Sequence, residues 1–266
     1  SITVEIAEGG TSVIKITDNG KGIPKDEIRT AFMRHATSKI DSFEDLENVL
    51  TLGFRGEALS SIASVAQVEM LTRTENDSMG TRIVINGGVV DREEECAANV
   101  GTVFYVKNIF FNTPARRKFL KKPATEGSYI SEIVNRIALG HPNIAIKYVN
   151  NGNIVLQTNG DGNVKNSLFY IYGKDIASKM LSLESEKDGY ILKGLVGKPE
   201  LSWGNRNYEN FFINGRFIKS TLVQNAVEDA YKNKIMIGKF PIFALDLIVP
   251  SNTVDVNVHP TKLEVR

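Results

Sequence analysis

The sequence predicts an α+β protein in which helices form a layer against mixed or antiparallel sheets. Three observations lead to this prediction. Short segments rich in β-branched and aromatic residues, separated by turn residues, occupy most of positions 67–107. Segments with apolar residues at helical spacing lie on both sides, at 24–36 and 124–142. The same mixture of strand and helix patterns starts again after the turn-rich stretch 159–163.

The chain opens with two strand patterns and a glycine-rich turn. Ile2, Val4 and Ile6 alternate with polar residues, and residues 13–17 have the composition of a largely buried strand. The turn residues that follow are Asp18, Asn19, Gly20 and Gly22. Such a run is ordinary turn chemistry. It also suits a ligand, because a strand-end carboxylate accepts a hydrogen bond from an amino group and glycine lets the ligand approach the backbone. The residues alone leave both interpretations open.

Two helix starts are predicted after this turn. Pro24 and the acidic residues behind it precede Ile28, Ala31 and Phe32, which are spaced as on one helix face. The polar stretch 37–48 is long for a connector and predicts a mobile segment over a site. The stretch "GFRGEAL" then begins a second helix. Its free N–H groups can hold a polyphosphate, although for this stretch taken alone an ordinary loop-to-helix junction is the simpler explanation.

The remaining elements follow from local patterns. Residues 67–107 predict a meander of neighbouring strands. A helix within 124–142 is predicted to place its apolar residues on one side, namely Ile130, Ile133, Val134, Ile137 and Ala138. Asn151 and Gly152 predict a hairpin turn. Helices near 166–172 and 221–231, with several strands, complete the second half. We expect one domain at 1–163 and a second, smaller α/β domain at 164–266.

Composition excludes several function classes. The 266 residues are 42% apolar and 24% charged, with a net charge of +1, so a nucleic-acid partner requires a local basic patch. The single cysteine, Cys96, forms neither a disulfide framework nor a zinc cluster, and we interpret it as a small buried residue. No apolar run approaches the roughly 20 residues that span a bilayer, so no membrane association is expected. The phosphate-binding pattern GxxxxGK[ST] is absent.

Five stretches together resemble one family. They are "DNGKGI" (18–23), "RHATSKI" (34–40), "GFRGEALSSI" (53–62), "GTVFYVKNIFFNTPARRKFL" (101–120) and "VDVNVHPTKLEVR" (254–266). The first alone is typical of the wider GHKL class, which includes gyrase B, heat-shock chaperones and histidine kinases. In this order, the set resembles the N-terminal ATPase region of the MutL family of DNA mismatch-repair proteins. The resemblance implies a two-layer GHKL-type ATPase domain, followed by a domain like the second domain of MutL and gyrase B.

The resemblance also implies an ATP site with Mg²⁺. According to this resemblance, Asp18 accepts a hydrogen bond from the adenine amino group, Gly22 keeps the pocket open to the base, and Thr102 reaches the adenine. Lys262 matches a lysine that extends from the second domain to the γ-phosphate. The full set of nucleotide-binding candidates is Asp18, Asn19, Gly20, Gly22, Ile23, Thr37, Ser38, Arg55, Gly56, Glu57, Ala58, Leu59 and Thr102. Without the family resemblance, Lys262 would be interpreted as an ordinary solvated surface charge.

One part of the family pattern is missing from this sequence. MutL-type ATPases carry a helix with a sequence resembling ELVENSIDAGA, whose glutamate activates water and whose asparagine binds Mg²⁺. No such stretch occurs here. We therefore expect an ATPase in the intact protein and little hydrolysis by these residues alone.

The resemblance further implies a switch that acts on DNA. ATP closes a lid and dimerises the N-terminal regions, slow hydrolysis resets them, and mismatch recognition by a MutS-type protein is relayed to a downstream endonuclease or helicase. Double- and single-stranded DNA would be bound without sequence specificity, with Arg206, Arg216 and Lys219 as candidate contacts; the basic run "RRKFLKK" is more simply a solvated helix face. The expected location is the bacterial cytoplasm, at the nucleoid. Two alternatives remain: the ATPase region of a type II topoisomerase subunit, and a DNA-binding or interaction module without ATPase activity.

Overall fold

The structure is a computed structural model, and it describes residues 1–33 and 57–250. Within these residues the chain divides into two compact units. The first contains residues 1–33, 57–134 and 145–157, and the second contains 135–144 and 158–250. The assignment of an ATP-binding domain and a second domain to residues 1–163 and 164–266 stays a prediction.

The first unit is built on an eight-stranded sheet. Its strands are β1 (Ile2–Ala7), β2 (Val13–Asp18), β3 (Gln67–Arg73), β4 (Gly80–Asn86), β5 (Val89–Cys96), β6 (Gly101–Lys107), β7 (Ile146–Asn150) and β8 (Asn153–Gln157). Their order is β5-β4-β3-β6-β2-β1-β7-β8. Only the β1–β7 pair is parallel among these pairs, so the sheet is mixed.

Helices pack against one face of this sheet, as the buried residues of α1 and α2 show. The helices of the first unit are α1 (Ile28–Ala31), α2 (Ala58–Val65), α3 (Pro114–Arg117) and the part of α4 (Pro123–Gly140) up to Val134. Ile28 of α1 and Ala63 of α2 belong to the same buried cluster as Val68, Met70 and Ile83 of the sheet. Each of these five side chains is at most 2% exposed. Burial of these apolar side chains fixes which face of β3 and β4 points inward.

The opposite face of the sheet is polar. Lys107 Nζ and Arg82 Nη2 each lie 2.8 Å from the Glu69 carboxylate, and Arg82 also contacts Glu94 at 2.7 Å. Lys15 and Glu5 form a further cross-strand pair at 3.2 Å. Because most of these groups remain partly exposed, each pair contributes at most about 1 kcal/mol. Ion pairs across strands therefore line a solvated face, and the first unit has two layers.

The second unit has a five-stranded sheet and a separate two-stranded one. Its elements are α5 (Val164–Tyr172), α6 (Lys174–Ala177), β9 (Met180–Lys187), β10 (Tyr190–Gly197), β11 (Ser202–Trp203), β12 (Glu209–Ile213), β13 (Arg216–Phe217), α7 (Thr221–Ala230), β14 (Phe240–Pro241) and β15 (Phe243–Ile248). The larger sheet has the order β13-β12-β15-β10-β9, with β12 and β15 parallel, and β11 pairs with β14. Phe212 and Phe211 belong to separate core clusters, as expected for successive residues of a strand buried on both faces.

Two side-chain caps explain where helices of this unit begin. Asn163 Oδ1 accepts a hydrogen bond from the Lys165 N–H at 2.9 Å, ahead of α5. Ser220 Oγ accepts one from the Val223 N–H at 3.3 Å, ahead of α7. Each cap satisfies a backbone donor that the first helical turn leaves unpaired.

The α+β class with mixed sheets is confirmed, but two local predictions are wrong. The strands at 67–107 do not form a simple meander, because β6 crosses back to pair with β3. Cys96 is only partly buried, since it ends the edge strand β5. The apolar residues that share one side of α4 are unequally buried, because Ile133 and Ile137 are 55% and 38% exposed whereas Val134 and Ala138 are buried. In the described residues, no helix has the length and apolar character needed to cross a membrane.

Candidate functional site

Three polar side chains meet where neighbouring strands of the first unit end. Asp18, the last residue of β2, pairs with Thr102 of β6, and Thr102 pairs with Thr72 of β3. Residues directly opposite each other on paired strands share a face. Since Thr72 lies two residues from the buried Met70, the three side chains are on the helix-covered face. The sheet therefore brings Asp18 and Thr102 together, as the resemblance implies.

Thr72 holds these strand ends in place. Its Oγ1 accepts a hydrogen bond from the Ile23 N–H at 2.9 Å and lies 3.2 Å from Thr102 Oγ1. It also lies 3.1 Å from the carbonyl oxygen of Gly101, to which it can donate. The side chain of Thr72 is 1% exposed, so its polar group requires such partners. Sequence reasoning missed this residue, because a threonine within a strand carries no signal of such a role.

One oxygen of the Asp18 carboxylate accepts a hydrogen bond within the turn, and the other can accept one from a ligand. Oδ1 accepts a hydrogen bond from the Gly20 N–H at 2.8 Å, which is the geometry of an Asx turn. Within the described part of the chain, no residue donates a hydrogen bond to Oδ2. The turn role of Asp18 is thus present, and it leaves an acceptor for a ligand amino group.

Two glycines allow the backbone at this edge to come close together. Gly22 has φ +72°, and a Cβ there would lie 2.1 Å from the carbonyl oxygen of Arg73. Gly101 has φ +116°, and a Cβ there would lie 2.2 Å from the carbonyl oxygen of Asp18. Both positions exclude a side chain by contact with backbone, in addition to the unfavourable φ. Gly22 therefore lets its turn approach the end of β3, and Gly101 lets the start of β6 approach the end of β2.

A cavity of about 550 Å³ borders the same strand ends but lies mainly on the other face of the sheet. Asp18 and Thr102 are at its rim, while Thr3, Thr17 and Val103 contribute to its wall. These three residues are directly paired across β1, β2 and β6, one position along from Asp18 and Thr102. Because side chains alternate between faces, this cavity is not the space in front of the Asp18 carboxylate.

The other predicted nucleotide contacts are only partly within the described residues. Asn19 and Gly20 are exposed at the turn. Glu57 immediately precedes α2, which starts at Ala58 and continues through Leu59, so the predicted helix start is confirmed. Thr37, Ser38, Arg55, Gly56 and Lys262 lie outside the described residues. Within the described ranges, no group of three or more acidic, histidine or cysteine side chains could hold a metal ion.

The three candidate DNA contacts of the second unit differ in accessibility. Arg206 binds both carboxylate oxygens of Glu228, at 2.6 and 3.1 Å, and its guanidinium lies 4.2 Å from the centre of the Phe240 ring. Arg216 is only 9% exposed, and burial lowers the pKa of its guanidinium. Lys219 is exposed. A DNA role for these residues stays a prediction; Arg206 and Lys219 are both exposed, and Arg206 is engaged by Glu228.

A buried carboxyl group in the second unit was not predicted from the sequence. Glu209 is 4% exposed, and its Oε2 accepts a hydrogen bond from Gln224 Nε2 at 3.1 Å. Its Oε1 is buried without a hydrogen-bond partner in the described residues. Burial, followed by the negative charge of Glu228, raises the pKa of Glu209 to about 7, although Arg206 nearby opposes this. The folded protein thus binds a proton here at pH values where an exposed glutamate is ionised.

We expect Glu209→Gln to stabilise the protein at alkaline pH. Because the folded-state pKa is raised, the wild-type free energy of unfolding falls as pH rises from the ordinary glutamate pKa of 4.5 to about 7. The loss is at most about 3 kcal/mol, and glutamine, which cannot ionise, avoids it. Urea unfolding at pH 5 and pH 8 measures the effect, with the exposed Glu184→Gln as a control. Identical pH profiles for wild type and Glu209→Gln would contradict it.

Comparison with known proteins identifies the family and the fold of this chain. The chain is 52% identical over all 266 residues to the DNA mismatch repair protein MutL of Agathobacter rectalis, and covers 41% of that protein. A family model described as "DNA mismatch repair protein, C-terminal domain" matches residues 168–266. Among solved structures, the Aquifex aeolicus MutL ATPase domain complexed with ADP matches with a TM-score of 0.69 and 25% identity, over 94% of this chain and 84% of that one.

A more distant match concerns the fold alone. The ATPase region of Saccharomyces cerevisiae topoisomerase II matches with a TM-score of 0.61 at 12% identity, over 100% of this chain and 71% of that one. The similarity to the MutL ATPase domain gives the first unit, with its mixed sheet and one helix-covered face, the fold of a GHKL-type ATPase domain. Within that class, the chain belongs to the MutL family of DNA mismatch-repair proteins. It spans about two fifths of the length of the curated relatives it matches.

Proposed function

We propose that the intact protein is an ATP-driven switch in DNA mismatch repair, and that the first unit binds the nucleotide beside Asp18. The observation that carries this proposal is the available Asp18 Oδ2, fixed by the Asx turn next to Thr102 and Thr72. The membership of the chain in the MutL family supports it, as does the ADP complex of the Aquifex aeolicus relative.

The described residues fit an adenine ring in a specific way. An adenine amino group donates to Asp18 Oδ2, while Oδ1 stays engaged by the Gly20 N–H and holds the carboxylate in one orientation. The hydroxyl of Thr102, held near Thr72, is placed to contact the base directly or through water. Preorganised acceptors of this kind add specificity for an amino-bearing purine, because a base without that amino group leaves the carboxylate unpaired.

The polyphosphate is proposed to extend toward the N-terminus of α2. The backbone N–H groups of its first turn and the dipole of the helix favour an anion there. Thr37, Ser38, Arg55 and Gly56 would complete a lid over the phosphates, and Lys262 would reach the γ-phosphate. When bound, Mg²⁺ would neutralise phosphate charge. The general base and the metal-binding asparagine belong to a motif that this sequence does not contain.

The cycle that we propose for the intact protein couples the nucleotide to assembly. ATP closes the lid and dimerises two N-terminal regions, and slow hydrolysis reverses this step. The closed dimer binds DNA without sequence specificity, takes the signal from a MutS-type protein and passes it to an endonuclease or helicase. These events are proposed to occur in the bacterial cytoplasm at the nucleoid.

Nucleotide binding and turnover by the full-length protein test this function. We expect calorimetry to detect ATP binding with strong preference over GTP, which lacks the amino group at the corresponding position of the base. Steady-state turnover with Mg²⁺ should be slow and should rise with protein concentration, because the active form is a dimer. Equal affinity for the two nucleotides would contradict the role of Asp18, and turnover independent of concentration would contradict dimerisation.

A further inference from the structure

One surface segment combines positive charge with exposed aliphatic side chains. It connects α7 to β14 and comprises residues 232–239, which we call the basic-apolar loop. Its lysines are Lys232, Lys234 and Lys239, and it contains no acidic residue. Met236 and Ile237, which lie between Lys234 and Lys239 and form the tip of the loop, are 76% and 105% exposed. The aliphatic side chains of the tip are therefore in solvent. Exposed apolar residues placed together in this way commonly mark a contact surface.

Both ends of the basic-apolar loop are fixed to the second unit. At one end, the hydroxyl of Tyr231 donates a hydrogen bond to the carbonyl oxygen of Gly197. At the other end, Phe240 lies under the Arg206 guanidinium, and β14 pairs with β11. The Lys239 N–H donates to the Met236 carbonyl oxygen at 3.1 Å, which closes the tip. The tip therefore projects from an ordered base, which lowers the entropy lost when it binds a partner.

The lysines of the loop differ in what they can contribute. Lys234 Nζ donates to the carbonyl oxygen of Ala230 at 3.0 Å and so is directed back to the end of α7. Neither Lys232 nor Lys239 has a side-chain hydrogen bond or ion pair with another described residue, and both are exposed. Two ammonium groups that are available to a ligand thus flank two exposed aliphatic side chains.

This combination matches the chemistry of a DNA duplex. Phosphates attract the ammonium groups, and an apolar wedge is stabilised when it contacts the faces of bases at a step that is partly unstacked. Burying a Met or Ile side chain against the bases offsets part of the free-energy cost of opening a step. That cost is smallest where pairing is already interrupted, so the wedge would favour unpaired or bulged sites over continuous duplex.

We propose that the basic-apolar loop is a DNA-contacting element, in which Lys232 and Lys239 bind phosphates and Met236 with Ile237 packs against an unstacked base step. This inference rests on the proposed action of the protein on DNA, and it adds a site and a preference to it. The site is distinct from Arg206, which is paired with Glu228, and from the buried Arg216.

Two variants of the full-length protein test the two parts of the site separately. For Lys232→Ala/Lys239→Ala, we expect weaker binding to duplex DNA and a plot of log K against log salt whose slope is shallower by up to about 1.8, since each phosphate contact contributes about 0.9. The control Lys174→Ala/Lys187→Ala removes two exposed charges elsewhere in the second unit and should keep the wild-type slope.

For Met236→Ser/Ile237→Ser, we expect the affinity for a duplex with a three-nucleotide bulge to fall about tenfold, with the salt slope unchanged. Binding to the fully paired duplex should change less. The control Ile154→Ser/Val155→Ser removes exposed aliphatic side chains of β8 and should leave both affinities unaltered. Thermal unfolding of each variant checks that its fold is intact.

The outcomes separate this inference from the proposed function. If the wild-type protein binds no DNA at low salt, the proposed action on DNA fails and the loop proposal fails with it. If the wild type binds and both loop variants behave like their controls, the loop proposal alone is overturned. If the wedge variant weakens binding to paired and bulged duplexes equally, the stacking part is overturned and the lysines act as ordinary phosphate contacts.

Discussion

Replacing Asp18 by asparagine is expected to weaken ATP binding by about 10- to 150-fold, with a parallel loss of turnover at limiting ATP. A hydrogen bond to a charged group contributes about 1.5–3 kcal/mol, and the substitution removes the charge. It also replaces one carboxylate oxygen, which accepts hydrogen bonds, by an amide nitrogen, which donates them. If the remaining oxygen of asparagine accepts the Gly20 N–H, its amide nitrogen faces the adenine amino group, and two donors then oppose each other.

Calorimetric titration with ATP measures this effect directly. Asp26→Asn is a matched control, because it makes the same chemical change at an exposed position of the same unit. The unfolding free energy of Asp18→Asn should stay close to that of wild type, since asparagine still forms an Asx turn. Unchanged ATP affinity in a folded Asp18→Asn variant would mean that this residue serves only the turn.

Gly101→Ala is expected to lower the free energy of unfolding of the first unit by about 3–5 kcal/mol. A Cβ at this position would lie 2.2 Å from the Asp18 carbonyl oxygen and 3.0 Å from the Asn19 Cα. Both neighbours are backbone atoms at a paired strand end, so they cannot rotate away as a flexible side chain does. The φ of +116° adds further strain for any residue with a Cβ.

Gly152→Ala isolates the contribution of the backbone conformation. Gly152 also has a positive φ, of +81°, but a Cβ there would meet nothing within 4 Å. We expect this control to lose only about 1–2 kcal/mol in urea unfolding. Equal losses for the two variants would show that the strand end moves aside at little cost and that the close approach at Gly101 is not a strong constraint.

Sequence patterns were sufficient where local interactions decide the structure. Local patterns predicted α5 and α7 near their observed positions. Such a prediction can succeed because a helix start depends on nearby residues, as the caps Asn163 and Ser220 show. Asn151 and Gly152 lie between β7 and β8 as predicted, because both adopt positive φ. The strand pattern of residues 13–17, followed by turn residues, likewise predicted that Asp18 lies at the end of a strand.

Long-range pairing was beyond the reach of those patterns. β6 pairs with β3 and β2 although its alternation is equally compatible with a position beside β5. Only that pairing brings Thr72, Thr102 and Asp18 into one row. The exposure of Ile133 and Ile137 similarly depends on which part of α4 packs against another element. Helical spacing predicts which residues share a side of the helix, but it does not predict what that side contacts.

Local sequence patterns were enough to predict the α+β class, the positions of the principal helices, and an acid with glycines at the end of β2. Only the tertiary structure shows that Arg216 is buried, that burial raises the pKa of Glu209 to about 7, and that Met236 and Ile237 are exposed to solvent. The physical reason is the same in each case. Secondary structure follows largely from neighbours within a few residues, whereas burial and pKa depend on chain segments that only folding brings together.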